Sequence, residues 1–241
     1  MVGRALHLVR TFPRQRAVAV VEVRGGVAVL DPRHPLSHEH NRLLVDGVDA
    51  EHVVADADDV LGGAGLDHRS VRTEDALLAR SLGTLGWTVE TLLVMAARPR
   101  SDRRAGPASV VHRSAVEPLW RDGWRRAGLA AAEVEALVAR EPTNDDVLEV
   151  RHVAVLVGGA VVATAQLRSD GATAAVEAVM THPDHRGRGY ADAVLARALE
   201  LAVADGTNLV VLEAAEQDWP RHWYARRGFA EVGRVWECLR P

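Results

Sequence analysis

VEAVMTHPDHRGRGYA, residues Val176–Ala191, passes from a hydrophobic strand straight into a glycine-rich turn flanked by arginines, after which a helix must begin. Gly187 and Gly189 carry no Cβ atoms to keep an anionic ligand off the backbone. The helix that follows turns its unpaired N–H groups and the positive end of its dipole toward the same point. A turn of this composition suits phosphate, and its length suits a diphosphate.

Downstream, Ala191–Ala204 reads as a helix with Val194, Leu195, Ala198, Leu199 and Ala202 on one face and Gly206 just beyond its end. Leu209–Leu212 is a short, continuously apolar run, as expected of a strand covered on both sides. Pro220 suits the first turn of a helix reaching Arg227, Gly228 stops it, and Phe229–Leu239 reads as a last strand. Upstream, Ala174–Met180 is a strand, and Arg151–Val157 and Ala160–Arg168 flank Gly158-Gly159 as a hairpin. Ala115–Arg140 has a helical spacing of apolar residues that breaks near Gly128, so two helices fit it. The elements make a mixed α/β sheet flanked by helices.

RPRSDRRAGP, from Arg98 to Pro107, is dense in charge, proline and glycine and has no apolar period, so it reads as a linker that divides the chain near residue 105. Before it, Ala17–Val23 and Val27–Leu30 read as strands, Glu74–Leu85 as a helix and Thr88–Met95 as a strand. The joint Leu85-Gly86-Trp87-Thr88 echoes Arg227-Gly228-Phe229-Ala230, since both run helix, glycine, aromatic, strand. Either the domain is duplicated, or two common helix-to-strand joints coincide.

The chain has 241 residues, 48% of them hydrophobic, which allows one large domain or two small ones with real cores. No apolar run is long enough to span a membrane, and the start shows no signal-peptide pattern, so a cytoplasmic location is expected. Cys238 is the only cysteine, which excludes an intrachain disulfide and a cysteine-based metal site. All 29 basic residues are arginine, so a lysine-dependent phosphate loop is excluded as well. The net charge of −4 gives no general attraction to nucleic acid or to an anionic membrane, and neither is expected as a partner. Arg98–Arg113 is the one arginine-rich stretch that would suit nucleic acid, and a solvated linker is its plainer reading. His34, His38 and His40 read as loop polarity without metal-site spacing, so no metal is expected.

Val179-Met180-Thr181, Pro183 and Arg186-Gly187-Arg188-Gly189-Tyr190-Ala191 resemble the acetyl-coenzyme A motif of the GNAT N-acetyltransferases, with its (Q/R)xxGx(G/A) loop complete. Tyr224, followed four and five residues on by Gly228 and Phe229, is similar to that family's late signature. The resemblance spans about Val110–Pro241. It implies a mostly antiparallel GNAT-type sheet, with a catalytic domain at 107–241. Residues 1–100 would then be a degenerate GNAT-like unit that lacks the cofactor loop, making two tandem units; Gly65–Leu78 sits where that unit would have its phosphate turn, and no glycine follows Arg69 there.

By the same resemblance, the cofactor-binding residues are Val179, Met180, Thr181, Arg186, Gly187, Arg188, Gly189, Tyr190, Ala191 and Asp192. Amides from Gly187 to Asp192 hold the pyrophosphate of acetyl-CoA, and the backbone of Val179–Thr181 pairs with its pantetheine arm. Arg186 and Arg188 would add charge-assisted contacts of about 1.5–3 kcal/mol each where desolvated. The implied reaction is direct transfer of an acetyl group to a primary amine of a small molecule or peptide, by a monomer or homodimer.

Such transfer needs a proton donor for the departing thiolate, and the Tyr224 phenol, with an ordinary pKa near 10, stays protonated at neutral pH. Its other reading is a tyrosine that packs its helix on the sheet. Glu177 is the candidate base, placed by period-two alternation on the face of Val179 and Thr181. His182 and His185 are alternatives beside the turn. Many members of the family carry an asparagine about seven residues before the tyrosine, where this chain has Gln217. Trp219, Trp223, Glu213, Glu216 and Asp218 form either a pocket for a cationic acceptor or packed tryptophans and solvated acids. A non-catalytic acyl-CoA sensor or scaffold is the rival reading.

Overall fold

The structure, a computed structural model, describes residues 2–100 and 106–241. The chain begins with helix α1 (Val2–Arg16), strands β1 (Ala19–Val23), β2 (Gly26–Leu30) and β3 (Arg42–Val45), helix α2 (Ala50–Ala57), strand β4 (Arg69–Thr73), helix α3 (Ala76–Thr84) and strand β5 (Thr88–Ala97). Strand β6 (Ser109–Val111) and helices α4 (Arg113–Arg126), α5 (Ala131–Arg140) and α6 (Pro142–Asp145) follow. Strands β7 (Glu149–Val157), β8 (Ala160–Ser169) and β9 (Thr173–Thr181) then lead to helix α7 (Tyr190–Ala204), strand β10 (Leu209–Ala215), helix α8 (Pro220–Ala225) and strand β11 (Ala230–Arg240).

By packing, the chain forms two compact units, Ala96–Leu212 and Val2–Met95 with Glu213–Pro241. Grouping by packing thus differs from grouping along the chain at 1–100 and 107–241, because Glu213–Pro241 is counted with the first half. Of the expected linker, residues 101–105 lie outside the described residues.

In the unit Ala96–Leu212 the strand order is β6-β7-β8-β9-β10. Neighbours run antiparallel, except that β9 and β10 are parallel over Thr173–Ala175 and Leu209–Val211. The five residues expected on the inner face of α7 are all buried, and the helix lies on the sheet face formed by Val153, Val155, Ala163 and Ala165. Val116 and Trp120 of α4 cover the opposite face at Ala154. The amphipathic period of α7 thus became a packing face, the usual source of helix stability in proteins.

In the other unit the strand order is β1-β2-β3-β4-β11-β5, so the last strand of the chain is inserted between two strands of its first half. Here β3 and β4 are parallel, while β1–β2, β2–β3 and β4–β11 are antiparallel. Its core gathers Leu43, Val53, Leu61, Val71, Leu82, Trp87 and Cys238.

The order strand, strand, strand, helix, strand, helix, strand occurs twice, as β1β2β3α2β4α3β5 and as β7β8β9α7β10α8β11. In both, a hairpin comes first and the third strand pairs in parallel with the fourth. This moves one expectation, since Gly65–Leu78 stood where a duplicate would have its phosphate turn. Those residues include β4 and the start of α3, and the first-half counterpart of Thr181–Tyr190 is Asp46–Asp49. There Asp49 caps α2 by accepting from His52 N, so the helix end is closed by a carboxylate of its own chain.

Candidate active site

The glycine-rich turn is built in three steps. Pro183 opens a short 3₁₀ turn, Pro183–His185, that His182 caps by accepting from Asp184 N at 3.3 Å. His185 N and Arg186 N donate back to His182 O and Pro183 O. Gly187 and Gly189 then take left-handed φ values of +73° and +77°, and α7 starts at Tyr190 with Gly189 as an N-cap that offers no side chain.

Within the helix, Ala193 N donates to Gly189 O. Helix geometry leaves the amides of the first turn without intrahelical acceptors. A Cβ built on Gly187 or Gly189 meets no atom within 4 Å, so the space over these amides is open. Arg186 and Arg188 are both exposed. Positive φ, an uncapped helix start and open space give the turn what an anion needs.

A cavity of about 310 Å³ opens beside the turn, between α4 and β9, lined by Gly123, Arg126, Met180, Thr181, His182 and Arg186. α4 presses so closely on β9 that a Cβ on Gly123 would lie 2.6 Å from Met180 Sδ. Asp122 accepts from Arg126 Nε at 2.7 Å and faces His182 Nε2 at 3.5 Å. The Arg126 guanidinium, through that hydrogen bond, holds the Asp122 carboxyl below the usual carboxylate range.

β9 departs from simple alternation. Opposite β8, Gln166 pairs with Glu177 and Thr164 with Met180, so two residues, Ala178 and Val179, stand against Ala165 alone. This is a β-bulge, with Ala178 at a φ of +50°. The bulge corrects the expected placement of Glu177. It lies on the α4 face with Gln166 and Met180, whereas Val179 packs on the α7 face.

Around Glu177 the α4 face carries a row of polar side chains that periodicity alone did not single out. Gln166 is fully buried, donates to Glu141 Oε2 at 2.8 Å and accepts from Arg168 Nε at 2.9 Å. Asn144 donates to the same Glu141 oxygen at 3.1 Å. His152, across from Gln166 on β7, packs edge-on against Trp120 at 5.5 Å, and its burial pulls its pKa below the ordinary histidine value. The signal was present as polar residues inside otherwise apolar strands, but their common face depends on which strands are neighbours.

Tyr224 lies on α8, in the unit Val2–Met95 with Glu213–Pro241. It is buried between Trp223 at 4.8 Å and Phe229 at 5.9 Å, and its carbonyl accepts from Phe229 N. The suggested cation pocket nearby does not assemble. Arg227 covers the Trp223 ring at 4.0 Å, Arg72 pairs with Glu213, and Arg234 pairs with Glu216. Trp219 is 65% exposed.

Of the loop histidines, His38 is exposed with its ring tilted against His68 at 4.3 Å, whereas His40 is buried with Ser37. Among the described residues no three histidine, cysteine or carboxylate side chains gather as a metal-holding group, and no helix is long and apolar enough to cross a membrane. In Arg98–Arg113, Ser109–Val111 form β6, and Arg113 pairs with Asp145.

Comparison with known proteins follows the same lines. Residues 113–229 match the model of a family described as the Acetyltransferase (GNAT) family. No curated protein matches the chain. Among solved structures, a functionally unknown conserved protein from Staphylococcus epidermidis ATCC 12228 is 14% identical with a TM-score of 0.75, over 91% of this chain and 92% of that one. A GCN5-related N-acetyltransferase from Kribbella flavida is 20% identical with a TM-score of 0.64, over 100% and 95%. A tandem GNAT protein from the clavulanic acid biosynthesis pathway is 15% identical with a TM-score of 0.56, over 78% and 68%. At these identities the likeness establishes the fold.

Proposed function

Because residues 113–229 match the model of the Acetyltransferase (GNAT) family, we propose that the protein is an acetyl-CoA-dependent N-acetyltransferase acting on a primary amine of a small molecule or peptide. The observation that carries this reading is the open turn at Gly187 and Gly189, set at the start of α7, where the N-cap offers no side chain, and alternating with the exposed Arg186 and Arg188. A diphosphate fits there because backbone donors and the helix dipole converge on it and no Cβ intervenes. Acetyl-CoA, when bound, supplies a thioester whose carbonyl carbon is open to an amine.

The chain's own residues do the rest. Amides from Gly187 to Asp192 hold the pyrophosphate, with Tyr190 and Ala191 in the first turn of the helix, and Arg186 and Arg188 add charge. The backbone of Val179, Met180 and Thr181 orients the pantetheine arm as a neighbouring strand would. As the amine nitrogen attacks and the carbon–sulfur bond breaks, Tyr224 gives its phenolic proton to sulfur. Glu177 takes the proton that the amine sheds, directly or through water. The family's late signature at Tyr224–Phe229 supports the acid, and the half-buried position of Glu177 at the bulge supports the base.

In this reading the first half is a GNAT-like unit without a cofactor loop. The repeated element order supports that, as does the Asp46–Asp49 turn, whose carboxylates repel an anion.

The test is a thiol-release assay with acetyl-CoA over aminoglycosides, polyamines, amino acids and peptide N-termini. Release with one class identifies the acceptor. Tight acetyl-CoA binding with no release against any amine assigns the sensor role instead, and no binding at millimolar concentration ends the proposal.

A further inference from the structure

The glycines that shape the turn before α7 have no side chains to hold it in place. A Cβ on Gly187 or Gly189 meets no atom within 4 Å, so nothing packs on the turn itself. Its position is therefore set by what grips the residues on either side.

On the upstream side that grip passes through His182. Its backbone N donates to Val162 O of β8 at 2.8 Å, and its ring Nδ1 accepts from Asp184 N at 3.3 Å. A ring nitrogen that accepts a hydrogen bond carries no proton, so the proton of the neutral imidazole sits on Nε2. Nε2 faces Asp122 Oδ2 of α4 at 3.5 Å, an electrostatic contact that favours a proton on that nitrogen. Asp184 Oδ2 lies 3.8 Å from Nδ1 and pulls the other way, but its side chain is 82% exposed and screened by water. Asp122 reaches the ring because its neighbour Gly123 lets α4 lie against Met180, where a Cβ would come within 2.6 Å of Sδ. The rings continue toward the downstream side. His182 meets His185 edge-on with centroids 5.7 Å apart, and His185 lies 6.3 Å from Tyr190, the first residue of α7.

We infer that Asp122 and His182 are positioning residues for the diphosphate turn. Asp122 keeps the ring proton on Nε2, the free Nδ1 holds Asp184 N, and the short turn so fixed sets where the amides beyond Arg186 are presented. The inference takes its ligand from the acetyl-transfer reading and gives His182 a role other than that of base. The one lone pair of the neutral ring is already occupied by Asp184 N, so none is left to take a proton from an amine.

Nitrogen-15 NMR on the full chain reads the ring directly, the His182 signal being the one that His182→Asn removes. A bare Nδ1 and a protonated Nε2 are expected, and a proton on Nδ1 overturns the inference without any ligand. Calorimetry with acetyl-CoA then reads the turn. His182→Ala should weaken binding about tenfold, whereas His182→Asn should keep it within about twofold, because the asparagine Oδ1 accepts from the same amide and has no tautomer to fix. Asp122→Ala is made together with Arg126→Gln, so that no freed guanidinium stands beside the turn. Against Arg126→Gln alone it should weaken binding about threefold, and not at all once His182→Asn is added. Melting temperatures report the fold of each variant. Failure of the parent to bind acetyl-CoA ends the acetyl-transfer reading and this inference together. Binding by the parent that His182→Ala leaves unchanged, a loss that His182→Asn does not restore, or an Asp122→Ala loss that persists with His182→Asn overturns this inference alone.

Discussion

Replacing Gly189 with valine sets two effects apart. Gly189 has φ +77° and ψ 8°, and a Cβ there meets no atom within 4 Å. The protein alone should therefore pay only the cost of a left-handed L-residue, about 1–2 kcal/mol. For a chain of this size that lowers the melting temperature by roughly 2–8 °C. In the proposed complex the same side chain would stand in the space of the diphosphate over the amides of Gly187–Asp192. Losing two charge-assisted hydrogen bonds of about 1.5–3 kcal/mol each should weaken acetyl-CoA by at least about a hundredfold. Thermal melts and calorimetric titration with acetyl-CoA measure the two effects on the same sample. If the melting temperature falls as expected while the affinity stays within about twofold, the diphosphate does not sit on this turn.

Tyr224→Phe should lower kcat by about 10²–10⁴-fold with little change in acetyl-CoA affinity, and Glu177→Gln should lower kcat and flatten the acidic limb of its pH profile; the reverse pattern in either variant removes the assigned role. His152 should make stability pH-dependent. Burial, opposed by Asp145 and Glu141, keeps its ring neutral in the folded protein, whereas the unfolded chain binds that proton near pH 6.5. Its contribution is therefore whole above that pH and is lost as pH falls toward the depressed folded value. Melting curves from pH 7 to pH 5 should fall less steeply for His152→Gln, with part of the slope remaining because buried His68 is shifted the same way. Gly26→Ala would place a Cβ 2.0 Å from Leu44 O, which the backbone of β3 cannot yield without breaking its pairing with β2. A loss of roughly 3 kcal/mol or more, about 6–12 °C in melting temperature, is expected, and an unchanged melt would show that the strands tolerate separation.

What was legible in the sequence was local. The hairpin at Gly158-Gly159, the turn at Gly187 and Gly189, and the buried stripe of α7 each follow from the conformational range of glycine or from a period within one element, and all are present. Helix α1 was missed because Pro13 lies within it and its buried positions include Pro13 and Arg16 rather than a clean apolar stripe. β3, β4 and β6 are only three to five residues long, too short for a period to register.

The amino-acid sequence by itself determined the fold class, the order of most elements in the second half and the glycine-rich turn before α7, because these depend on neighbours within a few residues. Only the tertiary structure decided the face of Glu177, the polar row from Glu141 to Gln166 and the insertion of β11 between β4 and β5. The physical reason is that a bulge, a shared face and a strand's place in a sheet are properties of paired backbones. Ala178 takes its left-handed turn because β8 offers one residue against two, and nothing in the residues of β9 alone says which strand will lie beside it.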